Sequence, residues 1–173
     1  MGEPYRLTPC SPSGGPVAGK LFTCARPGRF TCGATKPVPD DVVDTWVRGL
    51  PKGDPLVIVS LLGRKPPPES TSEFSFYSFR GGFDQPADRP GCPTFQAWLD
   101  RRFGDGRFLV LEYPTIDLKR LPSDVASRAA DAVIQLLNQG RTVVVMDSGG
   151  VSRTGELCRF MGFECRAQHG QDC

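Results

Sequence analysis

Long apolar runs are missing from this 173-residue sequence. No segment approaches the ~20 consecutive apolar residues that a membrane span needs, and the opening MGEPYRLTPCSPSGGPVAGK has no run of signal-peptide length. Arg6 stands where a myristoylation signal carries Ser or Thr. A soluble chain in the cytoplasm, neither embedded in nor anchored to a membrane, is therefore expected. An excess of one charge is missing too: 21 Lys and Arg face 19 Asp and Glu, a formal charge of +2. No strong field surrounds such a chain, so no nucleic-acid partner is expected and any anion recognition must be local.

The sequence also has no CxxC pair. Its 7 cysteines, at positions 10, 24, 32, 92, 158, 165 and 173, are an odd number, and free thiols are expected rather than a disulfide framework. Cys158, Cys165, His169 and Cys173 follow one another as C-x6-C-x3-H-x3-C, residue types that suit zinc, but without the knuckle of a zinc module. No metal and no cofactor are expected. Internal repeats are absent, and 20 Gly and 17 Pro fall short of low complexity, while 39% apolar and 23% charged residues describe a folding chain.

What is present reads as one domain. Residues 1 to 18, rich in Pro, Gly and Ser, read as an extended lead-in, and residues 19 to 173 as a single domain. GKLFTCA is the first strand candidate. Asp40 and Asp41 then open a helix from about Asp41 to Leu50, with Val42, Val43, Trp46, Val47 and Leu50 at helical spacing. PLVIVSLL, residues 55 to 62, is apolar on both faces, as in a central strand of a largely parallel sheet. A long loop follows at about 63 to 92, where three successive prolines and paired glycines oppose regular structure. Its aromatic stretch FSFYSF, residues 74 to 79, reads as a segment pinned to the core by its rings, with a ligand or partner surface as the alternative.

Beyond that loop, TFQAWLDRRF predicts a short helix and RFLVLEY a strand. DVASRAADAVIQLLNQG predicts a long helix capped by Ser123 or Asp124, with Val125, Ala129, Val133, Leu136 and Leu137 turned inward. RTVVVMD closes the series as a buried strand. Strands alternating with helices predict an α/β fold of three layers, a mainly parallel central sheet flanked by helices. Ligands of such sheets bind at the carboxyl ends of strands, where Asp147 falls.

Directly after that strand comes SGGVSRTG. A loop with Gly149 and Gly150 between strand and helix can turn its N–H groups inward, and the helix starting near Arg153 adds its positive end. Arg153 offers a planar fork that matches two oxygens of a phosphate. Ser148, Gly149, Gly150, Val151, Ser152 and Arg153 together form a candidate phosphate-binding loop, and a small phosphate monoester or a phosphorylated protein is the expected ligand.

MDSGGVSRTG resembles the HCxxGxxR(S/T) signature loop of the cysteine-dependent protein tyrosine and dual-specificity phosphatases. Gly150, Arg153, Thr154 and Gly155 match; Asp147 stands at the nucleophile position and Met146 at that of the preceding histidine. Upstream, YPTIDLKRLPSD is similar to the family's general-acid loop. It places Asp117, 5 residues before Pro122, at the general-acid position, with Asp124 the lesser candidate. GKLFTCARPG and PLVIVSLLG resemble the opening strands of compact dual-specificity phosphatases, so the likeness runs from about Gly19 to Phe160. It implies a dual-specificity-phosphatase-like fold. The family continues with further helices, whereas only 20 residues follow Arg153 here, so some of the family's packing is expected to be missing.

In the family a cysteine thiolate attacks phosphorus, an Asp protonates the leaving oxygen, and the hydroxyl at the Thr154 position stabilises the sulfur as a leaving group. A carboxylate oxygen is harder, sits one bond farther from Cβ than a thiol sulfur, and can itself accept from the loop amides. Facing an incoming dianion at ~4 Å, it adds a repulsion of about 1 kcal/mol per charge pair in water and about 4 at an effective dielectric of ~20. The resemblance therefore implies a pseudophosphatase that binds or scaffolds. The alternative is a phosphohydrolase working through an aspartyl phosphate at Asp147, although Gly149 breaks the DxD pattern of metal-assisted aspartate nucleophiles. A degenerate sequence or a fold analogue, with no ligand in the glycine-rich turn, is the third possibility.

Overall fold

A computed structural model of the chain describes residues 6 to 30, 38 to 63, 94 to 116 and 119 to 165. The loop at 63 to 92, apart from Gly63, and the FSFYSF segment within it fall outside the described residues. Among the described residues six strands form one sheet: β1 Thr8–Pro12, β2 Lys20–Ala25, β3 Leu56–Ser60, β4 Phe108–Glu112, β5 Thr142–Asp147 and β6 Phe163–Cys165. Four helices are described, α1 Asp40–Arg48, α2 Phe95–Phe103, α3 Ser123–Asn138 and α4 Ser152–Phe160.

The strand order is β4-β3-β5-β2-β1-β6. β4 with β3, β3 with β5, and β5 with β2 pair in parallel, and β1 pairs antiparallel with both β2 and β6. Only β1 therefore runs against the rest. Alternation along the strands sends their side chains to two cores. On one face Leu56, Ile58, Val144 and Met146 pack with Val43, Trp46 and Val47 of α1 and with Phe95, Trp98 and Leu99 of α2. On the other, Val57, Val59, Val143 and Val145 pack with Ala129, Val133 and Leu137 of α3 and with Leu157 and Cys158 of α4. Three layers result, as the alternating pattern predicts.

Three of the helices have a local cause at their starts. Thr94 caps α2 by accepting from the Ala97 N–H at 3.1 Å, and Asp40 and Asp41 lie at the positive end of α1. α3 begins at Ser123 directly after Pro122 and has no side-chain cap, so neither Ser123 nor Asp124 plays the capping part expected of them. Proline supplies the start instead, its fixed φ opening the turn in which the Ala126 N–H reaches the Pro122 carbonyl at 2.8 Å.

Two expectations fail at the end of the sheet. The supposed lead-in contains β1, which lies inside the sheet. Nor are the described cysteines all free, because Cys10 and Cys165 form a disulfide. The cause is register: the two cysteines lie directly opposite in the β1–β6 ladder, with Cα atoms 4.0 Å apart. Cys24 and Cys158 are free thiols, as expected. Among the described residues no helix is long and apolar enough to cross a membrane.

Candidate functional site: the loop after β5

β5 is flanked by β3 and β2 and ends at Asp147. The backbone holds this end from both sides. The Arg26 N–H donates to the Asp147 carbonyl at 2.9 Å, and the Leu61 N–H donates to the Met146 carbonyl at 2.9 Å. Met146 itself is fully buried in the face that carries α1 and α2.

From there the chain turns through Ser148, Gly149, Gly150 and Val151 into α4. Gly150 is at φ +72°, and a Cβ on it would run into the backbone of Cys24 and Ala25. Only glycine fits this approach of the loop to β2. Gly149, by contrast, would meet nothing within 4 Å. Ser148 is buried, whereas Val151 and Ser152 face solvent.

The Asp147 carboxylate, 1% exposed, is turned into the loop. Oδ1 accepts from the Gly150 N–H and Oδ2 from the Thr154 N–H, the latter at 3.0 Å. The acid thus accepts from one amide of the loop and one in the first turn of α4. Thr154 is completely buried, and its Oγ1 has no hydrogen-bond partner among the described residues.

Arg153 is 1% exposed, and its Nη1 donates to the Leu61 carbonyl and to Thr115 Oγ1, both at 3.1 Å. Thr115 Oγ1 in turn donates to the same Leu61 carbonyl at 2.5 Å. The segment after β4 is thereby drawn against the loop. A second tie reinforces it, because Glu156 Oε2 accepts from the Leu121 N–H at 2.7 Å. Asp117 lies outside the described residues, between these two ties in sequence.

Thr115, Glu156 and the Leu61 carbonyl were not legible as site residues, since nothing in their spacing marks them. Arg26 was also missed: it is completely buried at the end of β2, beside the loop. Cys24 is the thiol next to the site, and burial first, with the charge of Asp147 second, pushes it well above its ordinary range. Both effects favour the protonated thiol over the thiolate.

Arg101, Arg102 and Arg107 lie where α2 ends and β4 begins, at the end of the parallel strands opposite Asp147, and Arg102 there forms an ion pair with Asp44 of α1. A hollow of about 630 Å³ between Pro12, Val17, Ile134 and Phe163 is likewise remote from the loop, near the amino end of β5. No family model, no curated protein and no solved structure matches this chain.

Proposed function

We propose that this chain is a protein tyrosine or dual-specificity phosphatase-like protein without turnover, a pseudophosphatase that binds or scaffolds a phosphorylated protein. The observation that carries this reading is the position of the Asp147 carboxylate, which accepts from the Gly150 amide of the candidate phosphate-binding loop and from the Thr154 amide just beyond it. A phosphate entering the cradle has to displace a carboxylate already hydrogen-bonded there and faces its charge. Supporting features are the strand-to-helix setting of the loop at a carboxyl end of a mainly parallel sheet, the buried Arg153, and the contact of that arginine with Thr115, which precedes Asp117 by 2 residues in sequence. Val151 and Ile116, 60% and 47% exposed, give the rim apolar surface suited to a protein partner. A phosphorylated partner would then be held at this rim, with Arg153 behind it.

The test is to restore the nucleophile. Asp147→Cys is assayed on a small aryl phosphate alone and with Met146→His, folding being checked by circular dichroism because Met146 lies in the core. The native chain is expected to be inert and the folded Cys variants active. Inactivity of both folded variants would remove the phosphatase reading. Turnover by the native chain that Asp147→Ala abolishes would replace it with an aspartyl-phosphate mechanism.

A further inference from the structure

At the far end of α4 the fold brings together three cysteines that the loop does not use. Cys10 of β1, Cys158 of α4 and Cys165 of β6 have sulfurs that all lie within 4.8 Å of one another. Cys10 and Cys165 are bonded, and the third sulfur, Cys158 Sγ, is 3.9 Å from Cys10 Sγ. Cys158 is 1% exposed, while Cys10 and Cys165 are half-buried and open the cluster to the surface.

A buried cysteine on its own is a small apolar side chain that packs. Three sulfurs from three separate elements meeting at one point make a donor set. With metal–sulfur bonds of ~2.3 Å, thiolates around a tetrahedral ion stand about 3.8 Å apart, and around a trigonal one about 4.0 Å. The Cys10–Cys158 separation of 3.9 Å already has that value. Cys165, directly opposite Cys10 in the ladder, reaches the third corner by turning about its Cα–Cβ bond once the disulfide is open.

We propose that Cys10, Cys158 and Cys165 in their reduced form hold one thiophilic d10 cation, Zn2+ or Cu+, as a three-thiolate site. Soft thiolates select these ions. The sequence pattern C-x6-C-x3-H-x3-C names two of the ligands but misses Cys10, which only the β1–β6 pairing supplies. Entry to this state breaks the Cys10–Cys165 bond. A phosphine reductant gives two electrons and is oxidised to its oxide with oxygen from water, and the two protons from that water end on the sulfurs. Cation binding then releases the thiol protons as the three metal–sulfur bonds form. Zinc keeps a fourth position for water, and copper(I) is satisfied by three thiolates. The site does not depend on how the Asp147 loop is read.

The full chain is reduced with a phosphine without oxygen, freed of reductant and loaded separately with zinc chloride and with a copper(I)–acetonitrile complex. Metal content is measured after gel filtration, and X-ray absorption counts the sulfur neighbours. One equivalent of either ion on three sulfurs is expected, persisting in a chain with Cys32, Cys92 and Cys173 replaced by Ser. Cys158→Ser and Cys158→Ala, both checked for folding, are expected to lose that equivalent. Failure of the native chain to retain either ion overturns the site. So does retention by a folded Cys158 variant, or loss in the chain lacking the other three cysteines.

Discussion

Asp147 and Gly150 show how much one position can decide at the end of a buried strand. Gly150 meets two demands that no other residue satisfies together, a left-handed backbone and contact with the β2 main chain. Gly150→Ala is expected to destabilise the fold by about 3 kcal/mol or more, the sum of a left-handed penalty and backbone overpacking. Gly149→Ala, pointing into open space, is expected to leave the urea midpoint nearly unchanged. The comparison of the two midpoints is the measurement, and equal losses would contradict the geometry. Cys24 makes a prediction about alkali. Its thiol is raised above the ordinary 9.0 in the folded chain. Below that pH both states keep the proton, so its stabilisation is complete; above it the unfolded state releases the proton first, and stability falls as pH rises. Denaturant titrations from pH 8 upward are expected to show a shallower decline for Cys24→Ala than for the native chain, by the equivalent of one proton.

The elements that carry the site were largely legible in the sequence. β3, β4, β5, α2 and α3 lie where apolar runs, helical spacing and turn residues indicate, because buried strands and amphipathic helices advertise their faces. α1 covers Asp40–Arg48, close to the expected 41 to 50. β1 was not legible because its sequence, TPCSP, has two prolines, and proline is rare between paired strands. The register resolves this. Pro9 pairs only toward β2 and Pro12 only toward β6, which leaves Cys10 as the one residue of β1 paired on both sides. β6, a strand of three residues, is too short to carry a periodic signal. Within the site, the loop, its glycine and its arginine could be read from spacing, but the contacts of Thr115 and Glu156 could not, being products of tertiary packing. One tie between elements invites a direct test. Trp46 Nε1 of α1 donates to the Ala25 carbonyl at 2.9 Å, anchoring the helix beside the strand end that Asp147 pairs with. Trp46→Phe keeps an aromatic ring but loses the pyrrole half of the indole with its donor, and is expected to lower unfolding free energy by about 1–3 kcal/mol for the unpaired carbonyl, with the lost core volume adding to it, read from denaturant curves.

Across the whole molecule, the Cys10–Cys165 crosslink joins residues 155 apart in sequence. Closing so long a loop removes unfolded-state entropy worth about 5 kcal/mol in the chain-entropy account. Reduction in the presence of a chelator is therefore expected to lower the thermal midpoint markedly, whereas Cys10→Ser and Cys165→Ser are expected to reproduce the reduced midpoint without reductant. An unchanged midpoint on reduction would show that the bond constrains nothing that unfolding releases. Among the described strands β1 comes first in sequence and its outer neighbour β6 comes last. During synthesis one side of β1 therefore has no strand to pair with until residues 163 to 165 leave the ribosome. For that whole interval the nascent sheet carries an open edge that another chain can join, so the order of synthesis itself sets a period of exposure to aggregation.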